Sequence, residues 1–309
     1  MARWSLTTMK KLLSISELSR SIIMDKLILA GSGYLGENII NLILENQYNF
    51  SVKEVCRTKK NRSANIENII RDFDQEKIDL QFAENSTVIY MAPPSTLSSK
   101  DGRISNFIKN ISTLKIKKII YTSTSGVYGD CGGKKVDENT KVSPITERAR
   151  RRVDAENQLI NFSKKNNVKL IILRVPGIYG KGRLPVDRVK LREPLVNLNE
   201  SRITNIIHVE DLARICIASI VLENQIEIIN VSDGSPIKTT AYYEYVYAAI
   251  NVELPKYITF NQALKTYSEK RLSFLKESRV LNVEKMKKIF GGCIVYKDAS
   301  TGIKKSLGV

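Results

Sequence analysis

Residues 26–40 constrain this chain more than any other stretch: Lys26-Leu27-Ile28-Leu29-Ala30-Gly31-Ser32-Gly33-Tyr34-Leu35-Gly36-Glu37-Asn38-Ile39-Ile40. The apolar run ending at Ala30 is too short for a helix and reads as a buried parallel strand. A helical pattern opens directly behind it, with Leu35, Ile39, Leu42 and Ile43 on one face. Gly31, Gly33 and Gly36 therefore form G-x-G-x-x-G after a strand and at the start of a helix, the context that gives the motif its meaning. The first glycine permits a tight turn, the second lets a pyrophosphate approach the backbone, and the third lets helix and strand pack closely. The anion then meets the free N–H groups of the helix N-terminus. Gly31, Ser32, Gly33, Tyr34, Leu35 and Gly36 are accordingly expected to form a dinucleotide site.

The rest of the chain continues the alternation. Strands are expected over 51–56, 66–71, 86–91, 118–122 and 228–231, with helices over 103–114 and 240–250. Strands alternating with helices imply an α/β, doubly wound parallel sheet with right-handed crossovers, its ligand outside the carboxyl ends of the strands. An NAD site would carry Asp or Glu about 20 residues beyond the glycines, to bind the ribose hydroxyls. Here that point reads Arg57-Thr58-Lys59-Lys60. A guanidinium can hold a 2′-phosphate bidentately, and Lys59 or Lys60 would add charge, so NADP(H) is predicted over NAD(H). A solvated basic turn is the competing reading. Asp72 is expected beside the adenine, and Ala92 and Pro93, which end the fourth strand, border the same crevice.

At 309 residues the chain can hold about two domains. The expected division is an N-terminal extension over 1–23 without fixed structure, a dinucleotide-binding domain over 24–231 in which 176–206 contribute to the substrate cleft, and a small cap over 232–309. No run approaches the roughly 18 apolar residues of a membrane span. The four cysteines form no C-x-x-C pair, which suits reduced thiols and a cytoplasmic location. With His208 the only histidine, no metal site is expected. The net charge of +17 invites a nucleic-acid partner. Lys and Arg are nevertheless spread along the whole chain, and the one true cluster is 148–152. Phosphate-bearing small molecules are the preferred partners, and nucleic acid is not expected.

Four stretches occur in a telling order: the glycine loop; Thr122-Ser123-Thr124-Ser125-Gly126-Val127-Tyr128-Gly129; Leu173-Arg174-Val175-Pro176-Gly177-Ile178-Tyr179-Gly180; and Ile207-His208-Val209-Glu210-Asp211-Leu212-Ala213. In these the chain resembles the extended short-chain dehydrogenases/reductases, the NAD-dependent epimerase/dehydratase family. The resemblance implies a Rossmann domain with a smaller C-terminal substrate-binding region, NAD(P) at the glycine loop with Pro176 near it, and nucleotide-sugar or other carbonyl/hydroxyl substrates. A homodimer is compatible with it. The family's chemistry uses a Ser or Thr, here Thr124, and a Tyr-x-x-x-Lys pair. Pro144 and Ala155-Glu156 fix the register, which sets Arg148 at the Tyr position and Arg152 at the Lys position. The resemblance is thus to the atypical branch that lacks the pair.

The substitution has a chemical consequence. Tyrosine serves as a general acid/base once its pKa falls toward working pH, whereas arginine stays charged and cannot take a proton. Arg152 can still bond the nicotinamide ribose, and Arg148 is expected to receive an anionic substrate, with Tyr179 and Arg183 beside it. Lys181, Arg188, Lys190 and Arg192 add positive charge to that region. Tyr128 is carried forward with Thr124 as a catalytic candidate, and Tyr179, Asp130, Asp137 and Glu138 are weighed as further proton donors. His208 reads as a structural hydrogen-bonding group. The function expected is an NAD(P)(H)-dependent oxidoreductase or epimerase-like enzyme acting on a small anionic carbonyl or hydroxyl compound. The alternative is a non-catalytic NADP(H)-binding sensor or assembly protein.

Overall fold

The computed structural model describes residues 25–63 and 65–309, so the expected extension over 1–23 lies outside the described residues. Seven strands form the central sheet: β1 (Asp25–Ala30), β2 (Phe50–Cys56), β3 (Ile66–Ile70), β4 (Thr87–Tyr90), β5 (Lys118–Thr124), β6 (Lys169–Val175) and β7 (Ile226–Asn230). Their spatial order is β7-β6-β5-β4-β1-β2-β3, and every pairing is parallel. This is the Rossmann arrangement. The order reverses between β1 and β4, which opens a crevice at their carboxyl ends. The central strands have apolar middles because helices cover both faces; Leu29, Ile89, Ile120 and Ile171 have no solvent exposure.

Helix α1 (Tyr34–Glu45) turns Leu35, Ile39, Ile40 and Ile43 into the core. Helix α2 (Gly102–Ile111) is capped by Asp101, whose carboxylate accepts from the N–H groups of Arg103 and Ile104. Helix α3 (Glu147–Asn166) starts at the Thr146 cap and packs against α2 and β5 through Ala155, Leu159 and Phe162. On the other face, α4 (Val209–Ala218) lies beside α1.

Beyond β6 the chain leaves the sheet and rejoins it only for β7. Four two-stranded pairs tie the outlying segments together: Gly177–Tyr179 with Ile206–His208, Ile203–Thr204 with Ile237–Lys238, Leu195–Val196 with Tyr257–Ile258, and Lys135–Val136 with Val280–Leu281. The last pair returns the C-terminal region to the loop that follows β5. Helices α5 (Thr239–Ala249) and α6 (Ala299–Leu307) pack on each other above this layer. Two further helices, Phe260–Thr266 and Glu269–Leu275, follow α5, with Ser268 capping the second.

Candidate active site

The glycine loop sits at the carboxyl end of β1, facing the end of β4. Gly31 adopts φ +78°, and a Cβ there would lie 2.5 Å from Ala92. A Cβ on Gly36 would run into the Ser32 side chain, whereas one on Gly33 would meet only open space. The three positions thus divide the work as the motif requires: close packing at the first and third, room for a ligand at the second. A cleft of about 190 Å³ opens here, lined by Gly31, Gly33, Arg57, Asp72, Ala92 and Pro93, among others. Cys56, Arg71, Phe73 and Arg103 line it as well, and sequence reasoning missed them. Arg103 chelates Asp74 and donates to the Pro93 carbonyl, which holds the loop after β4 against α2.

Ser32 lines this cleft as well, with its N–H donating to the Val55 carbonyl and its hydroxyl donating to Glu54 at 2.6 Å. The Leu35 side chain lies in the core, leaving only its backbone at the helix N-terminus to meet a ligand. Lys60 turns away from the predicted phosphate, bonding Glu37 at 2.7 Å and Glu54 at 2.9 Å. Arg57 is exposed at the lip of the cleft, and Thr58 follows it, its carbonyl accepting from the Cys56 thiol.

Glu54 is the unforeseen centre of this region. It is a carboxylate with no exposure near the end of β2, bonded by Arg62 through both oxygens as well as by Ser32 and Lys60. Burial alone would raise its pKa, but hydrogen bonds from Arg62, Ser32 and Lys60 outweigh that and hold it at about 2. The network fastens the segment after β2 to the glycine loop. A charged residue between Lys53 and Val55 in an otherwise buried strand was the available signal.

At the end of β5, Thr124 caps the following turn, its hydroxyl accepting from the Gly126 N–H at 3.2 Å. Arg152 donates to the Tyr121 hydroxyl at 2.9 Å and the Thr122 carbonyl at 3.1 Å. One turn earlier on α3, Arg148 keeps contact with solvent. Burial pulls its guanidinium below the ordinary arginine range; the Glu277 charge opposes this, while Arg152 and Arg279 add repulsion. Glu277 and Arg279, which sequence reasoning did not single out, pair at 2.6 Å, and Arg279 also donates to the Gly129 carbonyl.

Tyr128 does not reach the cleft. Its hydroxyl donates to Asn230 at 2.7 Å and accepts from Arg174 at 2.9 Å, and the residue is 2 % exposed. Burial raises its pKa against the pull of Arg174. Arg174 is itself locked to Glu156 at 2.8 Å, so the second and third motifs meet Glu156 and Asn230 in one buried network. Tyr179 is likewise enclosed, its ring against His208 and Tyr242, its hydroxyl without a partner among the described residues. Both tyrosines are structural because the β5 and β6 loops fold back under the C-terminal layer. Asp130, Asp137 and Glu138 accept backbone N–H groups, which ties them to loop geometry. His208 is structural as expected: Nδ1 accepts from the Glu210 N–H and Nε2 meets the Ser306 hydroxyl at 3.1 Å, docking α6. Pro176 is half-buried at the exit of β6.

Arg183 lies elsewhere than expected. Its guanidinium stacks on the Tyr34 ring at 4.3 Å, and the Tyr34 hydroxyl donates to the Lys181 carbonyl at 3.0 Å. The 180–183 loop therefore joins the glycine loop rather than Arg148. A second pocket, of about 150 Å³, opens among Arg188, Leu195, Tyr243, Tyr267, Arg271 and Leu275.

Residues 27–232 match the NAD dependent epimerase/dehydratase family. The chain belongs to that family. A curated relative, the putative UDP-glucose 4-epimerase of Methanocaldococcus jannaschii, is 22 % identical over 247 residues, covering 71 % of this chain and 80 % of the relative. Among solved structures, a functionally unknown conserved protein from Silicibacter pomeroyi superposes with a TM-score of 0.77 at 24 % identity, covering 92 % of this chain and 98 % of the other. The UDP-glucuronic acid 4-epimerase of Bacillus cereus, solved with NAD, gives 0.73 at 14 % identity over 92 % of this chain and 97 % of its own. These structural likenesses establish the fold. Among the described residues no helix is long and apolar enough to cross a membrane.

Proposed function

We propose that this chain is an NADP(H)-binding enzyme of the family's atypical branch, acting by oxidoreduction or epimerisation on a small anionic carbonyl or hydroxyl compound. The observation that carries this is the cleft at the β1/β4 switch point, where open space at Gly33 meets the exposed Arg57. The pyrophosphate would lie on the N-terminus of α1, the adenine beside Asp72, and the 2′-phosphate against Arg57. The dinucleotide supplies hydride transfer when bound. Thr124 would donate a hydrogen bond to the reacting oxygen, and Arg152, anchored on Tyr121 and Thr122, would orient the nicotinamide ribose. Because the resemblance sets Arg148 at the tyrosine position, that position binds charge and does not exchange protons. Sugar nucleotides are the first substrates to try, since the relatives are described as UDP-sugar epimerases.

The sensor reading keeps one supporting observation: Tyr128 and Tyr179, the two phenols weighed as substitutes for the missing acid, are both sequestered. The test is a panel of UDP-sugars incubated with NADP+ and of 2-oxoacids and phosphorylated aldehydes incubated with NADPH, followed by nicotinamide absorbance and product chromatography. Turnover lost in Thr124→Val supports the enzyme. Tight dinucleotide binding with no turnover anywhere on the panel supports the sensor.

A further inference from the structure

Arg103 lines the cleft at the β1/β4 crevice together with Asp72, Phe73, Ala92 and Pro93. It is the second residue of α2, directly behind the Asp101 cap. Its guanidinium is spent along its edges: Nε and Nη2 donate to the two carboxylate oxygens of Asp74 at 2.8 and 2.6 Å, and Nη1 donates to the Pro93 carbonyl at 2.9 Å. The side chain is 15 % exposed. One planar group therefore bridges the loop after β3 and the loop after β4, which border the crevice on the side where Asp72 lies. These loops do not depend on Arg103 alone. The Asn106 amide, on the same helix, donates to the Phe73 carbonyl at 3.0 Å, and the Asp72 carboxylate accepts the Asp74 N–H at 3.0 Å. An arginine that recognises phosphate does so through its in-plane N–H donors. Every nitrogen of Arg103 already has an oxygen, so what it still offers a ligand is its flat face, on which a planar ring stacks. The exposed Arg57, at the lip of the same cleft, is left to meet charge.

We propose that the Arg103 guanidinium is the stacking platform for the adenine of the dinucleotide, and that Asp74 is the positioning residue that holds the platform in place. This rests on the reading above for the identity of the cleft, and it adds the residue that grips the base. Affinity then follows the presence of a plane at position 103 and not the presence of a charge there.

The test titrates the full chain and its variants with NADPH, following the heat of binding, with a thermal melt to show that each variant is folded. A stacking role needs a plane and an ion-pairing role needs a cation, so two substitutions pull them apart. Arg103→Lys keeps a charge for Asp74 and loses the plane, and is expected to bind NADPH about tenfold more weakly, the scale on which a base-stacking side chain contributes. Arg103→Phe keeps a plane and loses the charge, and is expected to stay within about threefold of wild type. Arg103→His substitutes if the Phe variant fails to fold. Asp74→Ala is expected to weaken NADPH binding by about threefold in the wild-type background and to leave it unchanged in the Arg103→Phe background, where there is no guanidinium to hold. Equal affinity of wild type and Arg103→Lys, or planar variants that bind as weakly as Arg103→Lys, overturns the proposal. Either result with NADPH bound by the wild type refutes only the platform, whereas a wild type that binds no NADPH refutes the dinucleotide reading itself.

Discussion

Replacing Glu54 with Gln should weaken both the fold and the dinucleotide site. The native carboxyl sits at about 2 against an ordinary 4.5. That difference corresponds to about 3 kcal/mol of stability at neutral pH, at roughly 1.4 kcal/mol per pKa unit. Gln keeps the shape and can still accept from Ser32, so the loss is chiefly the charge facing Arg62 and Lys60. Glu37 remains to those cations, which makes about 3 kcal/mol an upper value. The sign with pH follows from the depressed pKa: the contribution is complete above 4.5 and is lost as pH falls through about 2. Urea unfolding of wild type and variant should therefore differ by up to about 3 kcal/mol at pH 7 and by up to about 2 kcal/mol at pH 3.5. Because Ser32 lies between Gly31 and Gly33, the variant should also bind dinucleotide less tightly. A difference below about 0.5 kcal/mol at pH 7 would refute the claim that the buried network fastens the loop.

Three further outcomes are expected. Asp233 is 6 % exposed with one oxygen unpartnered, and burial pushes its pKa up to about 7, the Ser235 N–H opposing and the Asp211 and Asp298 charges adding. Its stabilisation is complete below 3.8 and lost as pH rises through about 7, so Asp233→Asn should raise the melting temperature more at pH 8 than at pH 5, with an upper value of about 4 kcal/mol at pH 8. Burial lowers the His208 pKa, with the Glu210 and Asp211 charges opposing. Stability should then fall as pH drops below 6.5, and His208→Gln should flatten that slope in a pH series of thermal melts. Tyr128→Phe should cost about 1–2 kcal/mol in urea unfolding, because Arg174 and Asn230 each lose a partner, while dinucleotide affinity stays unchanged. Reduced affinity would return Tyr128 to the site.

The sheet was legible because its signals are local. Short apolar runs placed six of the seven strands within one or two residues, β6 over 169–175 being the one not singled out, and the strand-glycine-helix sequence located the switch point. What was not legible depends on where side chains turn. Lys60 and Arg57 are equivalent in a sequence, and only Glu54 and Glu37 decide that Lys60 faces inward. Tyr128 and Tyr179 look alike beside their glycines, yet each loop folds under a layer made more than 100 residues later: Asn230 takes the Tyr128 hydroxyl, and Gly302 crowds the Tyr179 ring. Arg183 follows the same logic. Its stacking on Tyr34 spans two loops that no local pattern relates. Glu277 and Arg279 could not be foreseen, because nothing short of the pairing between Val280–Leu281 and Lys135–Val136 brings them to the loop after β5.

The central claim is that the cleft between β1 and β4 holds a dinucleotide and that Arg57 selects the phosphorylated one. It is tested most directly by calorimetric titration of cofactor-free protein with NADPH, NADP, NADH and NAD, repeated on Arg57→Asp. The account predicts binding of the phosphorylated pair at least about tenfold tighter than the other two, about 1.4 kcal/mol, with that preference lost in the variant. Equal affinities that Arg57→Asp leaves unchanged would contradict the selectivity, and no binding of any of the four would contradict the site itself.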